Sequence, residues 1–255
     1  MEMTVVFLGA GNLATSLAPV LCSAGCRIVQ VYSRTMASAR QLAQIVGAEA
    51  VDELSLLNTE ADVYIYALRD DVYSSLSIPA VSDKAVHLLT SGSIPYSAVS
   101  GQQHRGVLYP FQTFSKQKPV TDFAEVPVLV DGEDDYALGV ARKLAQSISS
   151  KVYVADDECR ARLHLAGVIA NNFSNCMYAL AQEQLQKAGL PFDILLPLID
   201  ETARKVHTMS PREAQTGPAA RGDNKLMEQQ IALLDDDNLR TIYRLVSDNI
   251  LSTRK

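Results

Sequence analysis

The stretch VVFLGAGNLATSL, residues 5–17, decides how the chain is read. Val5, Val6, Phe7 and Leu8 are apolar in succession, the pattern of a short strand buried on both faces of a parallel sheet. From Leu13 onward Leu13, Leu17, Val20 and Leu21 recur at helical spacing. Two glycines lie between strand and helix, and Gly9-Ala10-Gly11-Asn12-Leu13-Ala14 fits G-x-G-x-x-A. The first glycine permits a tight turn and the second lets a pyrophosphate approach the backbone. The small Ala14 lets the helix pack on the strand. The unpaired N–H groups of Gly11, Asn12 and Leu13 would then face the phosphates.

The following strand, residues 28–32, sharpens the expectation. A site that prefers NAD usually ends this strand with a carboxylate for the ribose 2′-hydroxyl. Here Ser33, Arg34 and Thr35 stand in that place. A guanidinium and two hydroxyls grip a 2′-phosphate through charge-assisted hydrogen bonds, so NADP is the expected cofactor. The missing acid also weighs against an S-adenosylmethionine site. The bland alternative for Arg34 is a solvated loop residue.

The rest of the composition narrows the classes. The 255 residues, 47% hydrophobic, suffice for one large or two modest domains. Glu2 is the only charged side chain before Arg27, whereas an export signal starts with positive charge. Glycines, Asn12 and Pro19 interrupt the only apolar run long enough to suggest a membrane span. The net charge of −6 and the lack of a basic run argue against nucleic acid and favour a small-molecule partner. Cys22, Cys26, Cys159 and Cys176 contain no C-x-x-C pair. They read as buried thiols of a cytoplasmic protein, with no metal site, and Cys22 and Cys26 are spaced as neighbours on one helix face.

Helical spacing over residues 37–46 and strand patterns at 48–51, 63–68, 85–89, 106–111, 126–130 and 151–154, with a helix over 134–148, predict an α/β doubly wound, Rossmann-type domain spanning residues 1–155. Ala67 and Leu68, at a strand's carboxyl end, should border the cofactor. After residue 156 the period becomes helical throughout. One long helix is expected over 158–188, then helices near 193–208, 224–234 and 238–251, making residues 156–255 an all-α second domain.

Three clusters carry candidate chemistry. The TSGS turn, residues 90–93, places Ser91 and Ser93 where a substrate or nicotinamide ribose would lie, and equally suits an ordinary Ser-Gly turn. On the long helix, Asn171 and Asn175 fall within about 20° of His164 on an α-helical wheel, and Asn172 about 80° away. Such a polar stripe needs partners. His164 is suited to the proton transfer that accompanies hydride transfer, or to a structural role. In TGPAARGD, residues 216–223, Gly217 and Gly222 suggest backbone shapes closed to side chains, and Asp223 is a helix cap. Arg221 suits a substrate carboxylate or phosphate, or an interhelix salt bridge.

Taken in order, G-x-G-x-x-A, SRT, TSGS, PFQTFS, HLAGVIANNFSN and GPAARGD resemble the bacterial family of Rossmann-like proteins with a C-terminal DUF2520 domain, described as NADP oxidoreductases. The resemblance spans nearly the whole chain, and its last motif is the most specific. The layout is similar to 6-phosphogluconate dehydrogenase, 3-hydroxyisobutyrate dehydrogenase and pyrroline-5-carboxylate reductase. That implies a 6-phosphogluconate dehydrogenase C-terminal-like helical domain, an interdomain active site and a homodimer formed through the C-terminal helices. It also implies that Asn172, eight residues after His164, is the asparagine to retain. Two features depart from the pattern. The hydroxyacid dehydrogenases' helix lysine is absent, since Val168 follows His164 by four and the first lysine is Lys187. Tyr109 stands where the family tends to have a histidine before Pro110. The expectation is an NADP-dependent oxidoreductase acting on a small anionic carbonyl, hydroxyacid or imine compound. His164, Asn172, Tyr109, Ser91 and Arg221 would form its reactive site. The alternative is a non-catalytic NADP-binding sensor or scaffold.

Overall fold

The computed structural model describes residues 3–253. Packing divides the chain into one unit ending at Asn171 and a second beginning at Asn172.

The first unit is built on one eight-stranded sheet in the order β3-β2-β1-β4-β5-β6-β7-β8. Its strands are β1 (Thr4–Leu8), β2 (Arg27–Tyr32), β3 (Glu49–Val51), β4 (Val63–Tyr66), β5 (Val86–Leu89), β6 (Arg105–Pro110), β7 (Val128–Gly132) and β8 (Val152–Val154). Helices α1 (Asn12–Ser23), α2 (Met36–Val46) and α3 (Asp135–Ile148) join β1 to β2, β2 to β3 and β7 to β8. Every neighbouring pair is parallel except β6 with β7. Right-handed crossovers account for the layering. The chain steps outward from β1 to β3, then returns past β1 to β4, so the later crossovers belong on the opposite face. Reversal at β7 brings α3 back to the face of α1, and α1 packs on both α2 and α3.

Strand β1 feeds both layers by simple alternation. Val5 and Phe7 join Leu17, Leu42 and Leu144 under the helices, while Val6 and Leu8 join Tyr64, Tyr66 and Leu89 on the other face. That second face is covered by short 3-10 turns, Leu54–Leu56, Asp70–Ser75 and Tyr96–Ala98, where a fully doubly wound fold would have α-helices.

The second face contains a buried histidine. His87 is 1% exposed, stacks on the Tyr64 ring and lies 2.8 Å by Nδ1 from the Tyr66 hydroxyl. Burial pushes the Tyr66 pKa up, so the phenol keeps its proton and donates to a neutral imidazole. Burial, reinforced by His104 and Arg105, lowers His87 from 6.5 to about 4. The unfolded chain therefore takes up a proton between those values that the folded chain refuses. Stability is fully present above pH 6.5 and falls by about 3 kcal/mol as the pH drops to 4. His87→Gln should flatten this part of the stability curve relative to the parent protein. Thermal or urea unfolding between pH 7 and 4.5 checks it, and parallel curves would refute it.

The expected long helix is interrupted. It begins as α4 (Asp157–Gly167), passes through a π-helical turn, Val168–Phe173, and continues as α5 (Ser174–Lys187). A π turn accommodates an extra residue, so wheel angles computed at a constant α-helical step fail beyond it. In helical phase Asn172 takes the place that an uninterrupted helix would give Asn171. The division between the two packed units falls inside this turn, and α4, on its first-unit side, is pinned to the sheet. Arg160 pairs with Asp131 of β7, and a Cβ on Gly167 would come within 2.7 Å of the Phe111 ring.

The cysteine reading needs correction. Helix α1 ends at Ser23, so Cys26 lies beyond it, just before β2, and is no helix-face neighbour of Cys22. Cys26 is buried and Cys22 half-buried, but Cys159 and Cys176 are exposed, and none of the four forms a disulfide.

The second unit comprises α5, α6 (Leu196–Lys205), α7 (Pro218–Arg221), α8 (Asn224–Ala232) and α9 (Asp237–Ser252). The Asp223 carboxylate accepts from the Leu226 N–H at 3.1 Å and so caps α8, as the sequence implies, and Asp236 caps α9 in the same way. Gly217 and Gly222 flank α7 with φ of 105° and 73°, a region that disfavours side chains. Lys187 of α5 is ion-paired to Asp235, next to the start of α9.

Candidate dinucleotide and acid–base site

Register organises the carboxyl edge of the sheet. Tyr32, Leu8, Tyr66, Leu89 and Val107 form one row of paired residues across β2, β1, β4, β5 and β6. Two residues beyond this row stand Arg34, Ala10, Leu68, Ser91 and Tyr109. Every one is a residue singled out from sequence, on five different strand ends. The Tyr66 carbonyl braces this edge by accepting from the Thr90 N–H, the Thr90 hydroxyl and the Tyr73 hydroxyl at 3.3, 3.0 and 2.9 Å.

The two motif glycines differ in character. Gly9 has φ 114°, and a Cβ there would lie 2.2 Å from the Ala67 carbonyl oxygen. Its position is a matter of packing between the ends of β1 and β4. Gly11 has φ −84°, and a Cβ there would meet nothing within 4 Å. Open space therefore lies at the N-terminus of α1, which has no side-chain cap and no acidic residue in its first turn. That is the donor arrangement an anionic group needs. Ala14 is fully buried, as the small third motif position requires. Leu13 is half-buried, and the Asn12 side-chain oxygen accepts from the Lys116 N–H at 3.3 Å. The segment after β6 is thereby tied to the glycine turn.

At the end of β2, the Ser33 N–H donates to the Val51 carbonyl. Thr35 is the N-cap residue of α2, but its side chain makes no cap hydrogen bond. Arg34 is exposed and has no ion-pair partner among the described residues. These three residues thus offer a guanidinium and two hydroxyls with no carboxylate paired to them.

The TSGS turn is more occupied than the sequence suggests. The buried Ser91 hydroxyl oxygen accepts from the N–H groups of Ser93 and Ile94, both at 3.1 Å, and Ser93 donates to Asp70 at 3.2 Å. Ser91 therefore shapes the turn. Gly92 lies flat against Tyr109, with a virtual Cβ only 2.8 Å from the phenol ring and oxygen. The Tyr109 hydroxyl stands 3.1 Å from His164 Nδ1, and the Tyr109 ring packs edge-on against Phe111. Burial raises the Tyr109 pKa, and the Asp70 carboxylate raises it further, so the group remains a phenol. His164 is exposed on α4, leaving Nε2 able to reach a ligand. The hydroxyl can donate to Nδ1 of the neutral ring and accept from Nδ1–H of the imidazolium, so it orients the ring in both states.

The structure thus joins the Ser91 turn, Tyr109 and His164 within the first unit. Asn172 and Arg221 belong to the second unit, where both are exposed. The interhelix salt bridge considered for Arg221 is not formed among the described residues. Sequence reasoning missed Gly92, Phe111, Asp70 and Arg160. Of these, Gly92 and Phe111 carried a signal, as members of the TSGS and PFQTFS motifs already singled out.

Fold and site define a Rossmann-type dinucleotide-binding protein with a helical C-terminal unit. The profile of the domain of unknown function DUF2520 matches residues 126–250, and that of shikimate/quinate 5-dehydrogenase matches residues 1–73. A crystal structure from Bacteroides fragilis, provisionally designated an NADP oxidoreductase, is 46% identical, with a TM-score of 0.94 and 98% of each chain covered. At the level of fold alone, 1-pyrroline-5-carboxylate reductase of Streptococcus pyogenes has a TM-score of 0.66 at 12% identity, covering 98% of this chain and 99% of that one. A reductive aminase of Aspergillus terreus, in complex with NADPH and ethyl-5-oxohexanoate, has a TM-score of 0.61 at 16% identity, covering 91% and 78%. No curated protein matches the sequence. The chain belongs to the same family as the B. fragilis protein, and its residues 126–250 match the DUF2520 domain. No helix among the described residues is long and apolar enough to cross a membrane.

Proposed function

We propose that the protein is an NADP-dependent oxidoreductase that transfers a hydride between NADP(H) and a small anionic carbonyl, hydroxyacid or imine compound. The observation that carries this reading is the row Arg34, Ala10, Leu68, Ser91 and Tyr109, running from an unpaired guanidinium past the open end of α1 to a histidine held by a phenol. NADP, when bound, supplies the hydride donor or acceptor. Residues 9–13 cradle the pyrophosphate through N–H groups of the turn and of α1. Ser33, Arg34 and Thr35 hold the 2′-phosphate, and Ala67, Leu68 and Ser91 flank the nicotinamide. In the reductive direction the His164 imidazolium releases its Nε2 proton to the developing alkoxide or amine. The remaining Nδ1–H donates to the Tyr109 oxygen. Asn172 and Arg221 are the second unit's candidates for pairing with the substrate and binding its anionic group. The phase change across the π turn favours Asn172 over Asn171.

The same reading includes a cytoplasmic homodimer formed through the C-terminal helices. Helices α5, α6 and α9 bury no residue, and Phe173, Met177, Leu196 and Leu198 are exposed. Met177, Ile242, Tyr243, Val246 and Ile250 line an apolar groove of about 320 Å³ in the second unit. Sedimentation at twice the 27.7 kDa chain mass is expected, and a monomer would remove this part.

Calorimetric titration with NADPH and NADH tests the cofactor assignment. NADPH should bind much the tighter. Arg34→Ala should weaken NADPH about 10- to 100-fold, the worth of hydrogen bonds to a charged group, and leave NADH unchanged. Failure of either nucleotide to bind would overturn the reading. Tight NADPH binding without hydride transfer to any member of a carbonyl and imine panel would favour a sensor or scaffold.

A further inference from the structure

Helix α4 carries His164, yet its only buried side chain is a charged one. Arg160 is 1% exposed, whereas Leu165 on the same helix is 58% exposed. Apolar packing therefore does little to fix the rotation of α4 about its axis, and directional hydrogen bonds must do so instead. Arg160 Nη1 donates to Asp131 Oδ2 and to the Ala155 carbonyl, both at 3.0 Å, and Nη2 pairs with Asp157. Asp131 lies on β7 and pairs in register with Val107 of β6, two residues before Tyr109. Both partners of the Tyr109–His164 hydrogen bond are thus referred to the same strand pair, Tyr109 covalently through β6 and His164 through Arg160 and Asp131 of β7. Gly167 against the Phe111 ring supplies the last contact. Arg160, His164 and Gly167 follow the i, i+4, i+7 spacing of one helix face, opposite Asp131, Tyr109 and Phe111.

We infer that Arg160 is the positioning residue of the Tyr109–His164 pair. This rests on the acid–base role proposed above for that pair. Magnitude supports it. A side-chain atom about 6 Å from a helix axis moves roughly 2 Å when the helix turns by about 20°, enough to break the 3.1 Å hydrogen bond. A buried ion pair is weak support for stability in itself, and its best-attested use is to fix a register. Here the register fixed is that of α4 on the β6–β7 pair.

The test needs no substrate. In the full-length protein, the 15N signals of the His164 imidazole, assigned with His164→Asn, are recorded with and without Tyr109→Phe. The parent protein should show a shift at Nδ1 when the phenol hydroxyl is removed. In an Arg160→Gln background that shift should be lost, and Arg160→Lys should restore it in part. An undiminished Tyr109→Phe shift in Arg160→Gln overturns the positioning role. Absence of the shift in the parent protein overturns the pairing, and the positioning role with it. Should Arg160→Gln fail to fold by circular dichroism, Asp131→Asn takes its place under the same two outcomes. Failure of the catalytic reading shows separately, as normal turnover in a His164 variant.

Discussion

Gly11→Val is expected to leave the melting temperature of the protein essentially unchanged while removing NADPH binding, and Gly9→Val is expected to damage both. The backbone at Gly11 is extended, with φ −84°, and no atom lies within 4 Å of the site a Cβ would occupy. A valine there meets no protein atom at that point. It does fill the space at the N-terminus of α1, where the proposed pyrophosphate must come within hydrogen-bonding distance of the N–H groups. Gly9 is the opposite case. Its φ of 114° strains any L side chain, and a Cβ would sit 2.2 Å from the Ala67 carbonyl oxygen, which cannot retreat because the Ala67 N–H is bonded to Leu8. Such strain and overpacking cost at least about 3 kcal/mol together. Thermal melts beside NADPH titrations separate the two. A Gly11→Val protein that binds NADPH normally would move the phosphate site elsewhere.

Legibility from sequence followed the length scale of the interactions. The strands carrying the row Leu8, Tyr32, Tyr66, Leu89 and Val107 could be read because burial on both faces writes continuous apolar runs into the chain. Once those residues align in register, the cofactor and catalytic candidates two residues further on fall into line without further information. The crossover turns on the second face could not be read in the same way. The segment of residues 70–75 opens with two acids and includes two serines, yet it covers the sheet through Tyr73, a single buried ring bonded to the Tyr66 carbonyl. The π turn at Val168–Phe173 leaves no mark on apolar spacing, and it alone defeats the wheel that favoured Asn171. Arg160 is the hardest case. An arginine among Asp156, Asp157 and Glu158 reads as a solvated surface charge, and only the tertiary position of Asp131 makes it the buried anchor of α4.

His164→Ala should lower turnover by about 10²- to 10⁴-fold, the range for loss of a general acid, with NADPH affinity unchanged. The separation follows from geometry. His164 is held by Tyr109 at the β6 end of the row, whereas the proposed phosphate-binding groups stand at β1 and β2. Tyr109→Phe should cost less, because it leaves the imidazole present but unoriented, with its Nδ1 partner gone. The double variant should be no worse than His164→Ala alone, since an orienting group has no value without the ring it orients. Independent, multiplying losses would instead mean that the Tyr109 hydroxyl acts on the substrate directly. Turnover in His164→Ala equal to that of the parent enzyme would remove the histidine from the chemistry. The acid would then be sought among Asp70, Ser93 and the Tyr109 hydroxyl, the remaining polar groups of the same strand edge.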